Sequence, residues 1–157
     1  MQTSDKNDFR AIPLHRAAKA GHPEVAGLII KRGADVDAQD TTGNTPLVTA
    51  TWNRHPQVME VLLRNGADRM TIGVGGHPIQ LSSIFNQTDM LAILLKYSKD
   101  IPELVNIKRT ALGYAMEEEQ IIEMLLQDFD AAAAGAARDN GRTPLHEAAK
   151  AGDVDKE

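Results

Sequence analysis

The chain has 157 residues, of which 42% are apolar and 25% are charged, and its formal net charge at pH 7 is −5. This composition is that of one ordinary soluble domain, and no apolar run approaches the ~20 residues that a membrane-spanning helix needs. The sequence has no cysteine, which excludes disulfides and thiolate chemistry, and its polar start lacks the apolar stretch of a secretory signal, so we expect a cytoplasmic or nuclear protein.

A unit built from two short helices is repeated along the chain. Its first copy reads "PLHRAAKAGHPEVAGLIIKRGAD" from Pro13, a residue whose fixed φ favours the first helical position. Gly21 ends this first helix, and Pro23 opens a second one. Apolar residues recur at helical spacing along the second helix, at Val25, Leu28 and Ile29. One stripe of the second helix is therefore apolar and must be buried.

The later copies keep the same phase. "TPLVTATWNRHPQVMEVLLRNGAD" places Pro46 33 residues after Pro13, and the weaker "HPIQLSSIFNQTDMLAILLKYSKD" places Pro78 32 residues after Pro46. "RTALGYAMEEEQIIEMLLQDF" puts Ala111 at the same position, and "RTPLHEAAKAG" puts Pro144 there. Repetition of this length is typical of solenoids, in which each unit buries its apolar face only against its neighbours.

These copies resemble the ankyrin repeat family, whose pattern runs roughly G-x-T-P-L-H-x-A-A-x-x-G-H, an apolar helix and G-A-D. The resemblance covers nearly all of the chain and implies an all-α repeat solenoid, with a β-hairpin finger and two antiparallel helices in each repeat. It also implies a curved stack whose concave face binds partners. We expect residues 1–157 to form a single, monomeric domain. Its repeats fall at 8–40, 41–72, 73–105 and 106–137, with a partial repeat at 138–157 that caps the stack.

Several residues depart from the family pattern. Ile12 and His77 replace the threonine that caps the first helix, and Arg54 and Asn86 replace the glycine that ends it. In the fourth repeat the second helix is predicted to begin about two residues early. The alanine-rich "DAAAAGAARDNG" that follows this helix is predicted to form a loop. We therefore expect the middle of the array to be less regular than its start.

The most informative departures lie where the family presents variable side chains on the concave face of its first helices. In the middle repeats these positions carry large apolar residues, including the chain's only Trp, in a sequence with 4% aromatic residues. Exposed apolar surface and aromatic side chains are typical of contact sites. The resemblance thus implies a partner-binding surface formed by Arg16, Lys19, Trp52, Asn53, Leu81, Ile84, Phe85, Tyr114, Glu117 and Glu118. The alternative is that Leu81, Ile84 and Phe85 belong to the core of an irregular third repeat.

Two kinds of function fit such a surface. The first is a non-enzymatic module that binds another protein or a peptide across the concave face, as the family resemblance implies. The second is a pocket for a small apolar ligand around Trp52, Phe85 and Tyr114, with catalysis by His77, Tyr114 or Glu117. The sequence shows no spaced set of acid and base, so we expect the first. A closed cavity at Trp52 and Phe85 would favour the second.

The remaining chemistry-bearing residues predict neither a metal nor a cofactor. His15 lies at the T-P-L-H position, where the resemblance implies structural hydrogen bonding. His22 and His55 lie in neighbouring repeats, whose helices pack ~8–10 Å apart, so we expect these rings to cap helices rather than share an ion. "GVGGH" at 73–77 lacks the Lys-Ser/Thr of a phosphate-binding loop. The acidic net charge argues against a nucleic-acid partner.

Deletion of residues 138–157 should lower the melting temperature. By alignment, this half repeat places Leu145, Ala148 and Ala149 against the apolar helices of the fourth repeat, which the deletion would expose. Thermal unfolding and light scattering of the full and shortened chains measure the effect. An unchanged melting temperature with a monomeric shortened chain would show that this segment does not cap the stack.

Overall fold

The fold is a stack of helix pairs. A computed structural model describes residues 13–115 and 118–127 of the chain. The predicted half repeat and alanine-rich loop, as well as Glu117, lie outside the described residues. None of the described helices is both long enough and apolar enough to cross a membrane. These helices are α1 (residues 13–20), α2 (Pro23–Lys31), α3 (Pro46–Trp52), α4 (Pro56–Arg64), α5 (Pro78–Ile84), α6 (Thr88–Tyr97), α7 (Leu104–Tyr114) and α8 (Glu119–Leu126).

The helices form two layers. The first-helix layer consists of α1, α3, α5 and α7, and the second-helix layer consists of α2, α4, α6 and α8. Neighbouring helices pack within each layer, α3 on α5 and α5 on α7 in the first, and α2 on α4, α4 on α6 and α6 on α8 in the second. α8 begins two residues before the point that a 33-residue period from α6 gives, as predicted. The predicted all-α stack of helix pairs is confirmed.

Equivalent residues of successive repeats fill the core. Leu14, Leu47 and Ile79, each directly after the helix-opening proline, are fully buried. Small side chains follow at two further buried positions of each first helix, which lets helices of adjacent repeats approach closely. These small residues are Ala17 and Ala18 in α1, Ala50 and Thr51 in α3, and Ser82 and Ser83 in α5.

The second helices depend on their neighbours for burial. Val25 of α2, Val58 of α4 and Met90 of α6 occupy the same position in their repeats. Val58 and Met90, with a described repeat on both sides, are 0% and 1% exposed, whereas Val25 is 45% exposed. Burying such a side chain contributes roughly 1.5–3 kcal/mol. The apolar stripe of the second helices is therefore buried by stacking in α4 and α6, and each repeat stabilises the next. In α2 the prediction is wrong for Val25 and Leu28, which are 45% and 51% exposed at the described start of the stack.

Glycine ends the second helices of repeats one and two. Gly33 and Gly66 have φ values of 86° and 85°, in the left-handed region that a residue without Cβ adopts at low cost. At the end of α2 the N–H groups of Gly33 and Ala34 donate to the carbonyls of Ile30 and Ile29 at 2.9 and 3.3 Å. These bonds satisfy carbonyls that the helix end would otherwise leave free.

The first helices end in a more strained way. Gly21 follows α1 with a φ of 74°, but after α3 and α5 the same position holds Arg54 and Asn86, with φ values of 58° and 51°. A side chain in the left-handed region costs about 1–2 kcal/mol, and less for asparagine. The Arg54 side chain offsets part of this cost, because its Nη2 donates to the Phe85 carbonyl at 3.2 Å and so links repeats two and three.

The fourth repeat differs from the implied pattern because it has no finger. Residues 65–77 join α4 to α5, but only residues 98–103 join α6 to α7. In place of a finger, α7 starts early, with Leu104, Lys108 and Ala111 buried at helical spacing. The sequence between α6 and α7 contains no glycine for a hairpin turn. A helix therefore forms where the resemblance implies a finger.

His77 caps α5 in place of the family's threonine. Its Nδ1 accepts a hydrogen bond from the Ile79 N–H at 3.1 Å, and the Gln80 side chain accepts one from the His77 N–H at 3.0 Å. Its Nε2 lies 2.8 Å from the Arg69 carbonyl, which can only accept, so Nε2 carries the proton and the ring is neutral. Burial lowers the pKa of His77, because the charged ring would lose its hydration.

Arg54→Gly should be more stable than Arg54→Ala by about 1 kcal/mol. Both variants lose the hydrogen bond to Phe85, but only alanine must hold a side chain in the left-handed region. Urea unfolding measures the difference. At Arg64 in α4, the matched control, glycine should instead be less stable than alanine by about 1 kcal/mol. If the stability difference between the glycine and alanine variants had the same sign at both positions, it would contradict the left-handed backbone at Arg54.

The melting temperature should fall as the pH drops below about 6.5, the ordinary histidine pKa, and part of that fall should come from His77. The pKa of His77 is lower in the folded chain, so the unfolded chain binds a proton first and stability is lost as pH falls. His77→Thr keeps a capping oxygen without a titrating ring and should flatten the dependence. His22→Thr, at an exposed ring, is the control. Identical pH profiles for wild type and His77→Thr would contradict this assignment.

Candidate functional site

Trp52 and Phe85 form an exposed aromatic pair on the first-helix layer. Trp52 is the last residue of α3 and Phe85 directly follows α5, so the pair joins repeats two and three. The ring centroids lie 5.1 Å apart and the planes are tilted by 56°, a favourable arrangement for aromatic rings. Trp52 is 41% exposed and Phe85 is 37% exposed. The pair therefore keeps much of its apolar surface accessible.

The finger at residues 65–77 fixes the Trp52 ring. The indole Nε1 donates to the Val74 carbonyl at 3.0 Å. The Val74 N–H in turn donates to Asn44 Oδ1 at 2.8 Å, in the preceding finger at residues 32–45. The backbone of Val74 thus ties Trp52 to two successive fingers. A ring that is held in place in the free protein loses little conformational entropy when it is covered.

Glycines let this finger approach the helices. A methyl group on Gly75 would lie 2.8 Å from Trp52 Cζ2 and 3.2 Å from Leu81 Cδ2. A methyl group on Gly73 would lie 2.5 Å from Asn44 Oδ1. The implied β-hairpin is reduced to turns, since within the described residues β pairing consists of an isolated bridge between Gly73 and Gly76. The glycines of "GVGGH" therefore serve close packing of the finger.

Two residues of the finger extend the apolar surface, and neither was predicted from the sequence. Ile72 is 69% exposed and Val74 is 56% exposed. The corresponding part of the preceding finger holds the polar Gln39 and Thr41. Ile72 and Val74 could have been identified from the sequence, because they are branched apolar residues among turn-forming glycines. The apolar patch is defined here as Trp52, Ile72, Val74, Ile84 and Phe85.

Leu81 is the predicted site residue that the structure contradicts. Its side chain is 1% exposed and lies against Gly75 of the finger, where an added Cβ would be 3.2 Å from Leu81 Cδ2. The prediction that Leu81 faces a partner is therefore wrong. Ile84 and Phe85, by contrast, are exposed, so the alternative that assigns all three residues to the core is right only for Leu81.

The other predicted residues are spread along the first-helix layer. Arg16 and Lys19 are exposed on α1, and Tyr114 is exposed at the end of α7. Trp52 and Phe85 form the one aromatic pair among the described residues, so Tyr114 is not joined to it. Glu118 is exposed just before α8. The amide of Asn53 is already used, because its Nδ2 donates to the Thr49 carbonyl at 2.8 Å.

The histidines join repeats instead of forming a reactive site. His15 Nε2 lies 2.8 Å from the Asn44 carbonyl, which confirms its structural role. The rings of His22 and His55 make no capping bond at the helices that they precede, so the expectation that they cap helices is wrong for His22. His55 Nε2 instead bonds to the Lys19 carbonyl at 3.0 Å, at the end of α1. Among residues 13–115 and 118–127, no group of three or more acidic or histidine side chains is placed to hold a metal.

His77 is not placed to act on a bound molecule. Both of its ring nitrogens bond to backbone groups, and the ring is buried beneath the finger. The Trp52 N–H is also used, by the Val74 carbonyl. The apolar patch therefore presents exposed apolar side chains to a binding partner and few free polar groups.

Comparison with known proteins gives a family and two plant relatives. A family model described as Ankyrin repeats (3 copies) matches residues 2–72 and 79–156. Similar proteins include the E3 ubiquitin-protein ligase XBAT32 of Arabidopsis thaliana, which is 33% identical over 153 residues, 93% of this chain and 28% of that protein. The probable E3 ubiquitin-protein ligase XBOS32 of Oryza sativa subsp. japonica is 27% identical over 154 residues, 93% of this chain and 29% of that protein.

The chain spans less than a third of the length of these two relatives. The similarity therefore concerns one part of each ligase. The family model, by contrast, covers nearly all of the chain, and the described helices form the stacked pairs that its repeats require. The chain belongs to the ankyrin repeat family.

Proposed function

We propose that this chain is a non-enzymatic module that binds a partner protein or peptide on its first-helix layer, centred on the apolar patch. The observation that carries the proposal is the Trp52–Phe85 pair, which is exposed and yet held by a finger. Soluble proteins rarely leave large apolar side chains grouped in water unless the group serves a contact. Ankyrin repeats are protein-interaction modules, and this chain is made of them.

The patch has the character of a binding centre. Tryptophan is enriched among residues that contribute 2 kcal/mol or more to association, about thirtyfold in affinity. The Trp52 ring is fixed by its hydrogen bond to Val74, so its covering requires little reorganisation. Among the charged residues of the proposed surface, Arg16 and Lys19 lie on α1, in the repeat before Trp52, and Glu118 lies beyond α7. Such charges at the rim mainly steer association.

The relatives suggest a setting for this binding. Both are named as E3 ubiquitin-protein ligases, one of them as probable. We infer that in such an assembly this chain would recognise a partner and another part would carry the transfer chemistry. In support, the sequence contains no cysteine for a thiol-dependent acyl transfer.

The patch does not favour the small-ligand alternative. A site for a small molecule buries most of its ligand between apolar walls and orients it with a few polar groups. Trp52 and Phe85 lie side by side and are both well exposed, and the indole N–H already has a partner. His77, proposed above as a catalyst in this alternative, is buried and fully bonded. An extended partner covers such a surface better than a small molecule does.

Val74→Asp should abolish or strongly weaken partner binding, by about thirtyfold or more, while the fold stays intact. The backbone of Val74, not its side chain, holds Trp52, so the variant places a charge on the patch without breaking that contact. Trp52→Ala should weaken binding at least as much. It should also lower the free energy of unfolding by about 1–2 kcal/mol, because a ring packed on Gly75 is lost.

Affinity capture from a native extract, with quantitative mass spectrometry, compares what wild type and each variant retain. Leu28→Asp is the matched control, since Leu28 is an exposed apolar residue of α2 on the other layer. It should retain the same partners as wild type. If Val74→Asp keeps every partner while Leu28→Asp loses them, the binding surface lies on the second-helix layer instead. A partner set unchanged in all variants would also contradict the proposal.

A further inference from the structure

The two helix layers differ in charge. In an acidic chain with 22 Asp and Glu against 17 Lys and Arg, the described helices of the first-helix layer contain no carboxylate at all. Their charged residues are Arg16, Lys19, Lys108 and Arg109. Every helix of the second-helix layer carries at least one acidic residue, namely Glu24 in α2, Glu60 in α4, Asp89 in α6, and Glu119 and Glu123 in α8. The layer that bears the apolar patch is therefore basic.

Three exposed cations of repeats one and two form no ion pair with a carboxylate of the described residues. Arg16, Lys19 and Arg54 are exposed, and none of them takes part in the ion pairs found among the described residues. Those ion pairs join Arg64 and Lys96 to Glu60 in the second-helix layer, and Arg69 to Asp100. None of these three side chains is therefore held by a described carboxylate.

Two hydrogen bonds arrange the ends of α1, α3 and α5 in one row, and Arg16 lies one helical turn before Lys19 on α1. The Lys19 carbonyl lies 3.0 Å from His55 Nε2, so the end of α1 adjoins the residue next to Arg54. Arg54 in turn reaches the Phe85 carbonyl at 3.2 Å. The row therefore runs from the end of α1, past the end of α3, to the aromatic pair. Its positive charge ends where the apolar patch begins.

We propose that the partner of this surface is a protein segment in which Asp or Glu residues adjoin a large apolar side chain. This inference rests on the proposed function, because it names the chemistry of the partner that the module would hold. The acidic residues would lie along Arg16, Lys19 and Arg54, and the apolar side chain would cover Trp52 and Phe85. Complementary charge of this kind steers association and fixes the orientation of the bound segment.

A nucleic acid, which is also anionic and can stack on aromatic rings, fits the surface less well. A protein that binds a nucleic-acid backbone through six to ten phosphate contacts needs as many cationic groups, whereas the described part of this row offers Arg16, Lys19 and Arg54. The Trp52 and Phe85 rings contact each other at a tilt of 56°, so they do not form parallel platforms for successive bases. The arrangement favours an acidic, apolar protein segment.

A display library of short random peptides, selected on the full chain, tests the proposal. Enriched peptides should carry Asp or Glu within a few residues of Trp, Phe or Leu. For one such synthetic peptide, Arg16→Glu with Lys19→Glu should weaken binding about tenfold at low salt, and the difference should shrink as salt increases. Lys31→Glu with Arg32→Glu, two exposed cations at the end of α2, is the matched control and should leave affinity unchanged. Circular dichroism checks that each variant is folded.

The possible outcomes separate this inference from the proposed function. Peptides that need Trp52 and Val74 but show no acidic enrichment, or bind the double reversal as well as wild type, overturn the acidic partner and leave the binding module standing. A selection that yields no peptide dependent on Trp52 or Val74 counts against both. A single-stranded oligothymidine that displaces the selected peptide and binds more tightly than it does overturns the proposal in favour of a nucleic acid.

Discussion

Burial of each second helix between two neighbours is the constraint on which the rest of this structure depends. The same position is buried as Val58 and Met90 within the stack and half-exposed as Val25 at its described start. Because the apolar faces fix the distance and register between repeats, backbone groups of one repeat come within hydrogen-bonding reach of the next. The bonds from His55 to Lys19 and from Arg54 to Phe85 are consequences of that register.

The apolar patch is built on this register by backbone contacts. Trp52 donates to a carbonyl of the following finger, and that finger is held by Asn44 of the preceding one. Glycine at 73 and 75 is needed because any side chain there would collide with the groups beneath. The hydrogen bonds that hold the finger use the backbone of Val74, while the side chains of Ile72 and Val74 are 69% and 56% exposed. Grouped apolar side chains with this much exposure are best explained by a contact.

Much of the fold could be predicted from the sequence, because proline, glycine and the apolar period act locally and recur in phase. The helix starts at Pro23, Pro46 and Pro78 and the left-handed glycines at 33 and 66 follow directly from residue type. The missing finger also has a signal in the sequence, because residues 98–103 contain no glycine for a hairpin turn.

The site was harder to predict because it depends on how one loop lies on the stack. Arg16, Lys19, Trp52, Ile84, Phe85 and Tyr114 are exposed as the alignment implies. Leu81 is not, because the finger lies over it, and no local property of the sequence reports that approach. The cross-repeat bond of His55 was likewise invisible, since the ring sits at a capping position and its partner is in another repeat.

The short connection at residues 98–103 affects where a long ligand could bind along the stack. A periodic array offers nearly the same surface at every repeat, so a long ligand could slide by one repeat and find similar helices. Here the fingers at 32–45 and 65–77 are followed by a connection that forms none. In the proposed complex, a bound segment displaced by one repeat would lose its contact with a finger. The missing finger would therefore favour one position of the segment along an otherwise repetitive surface.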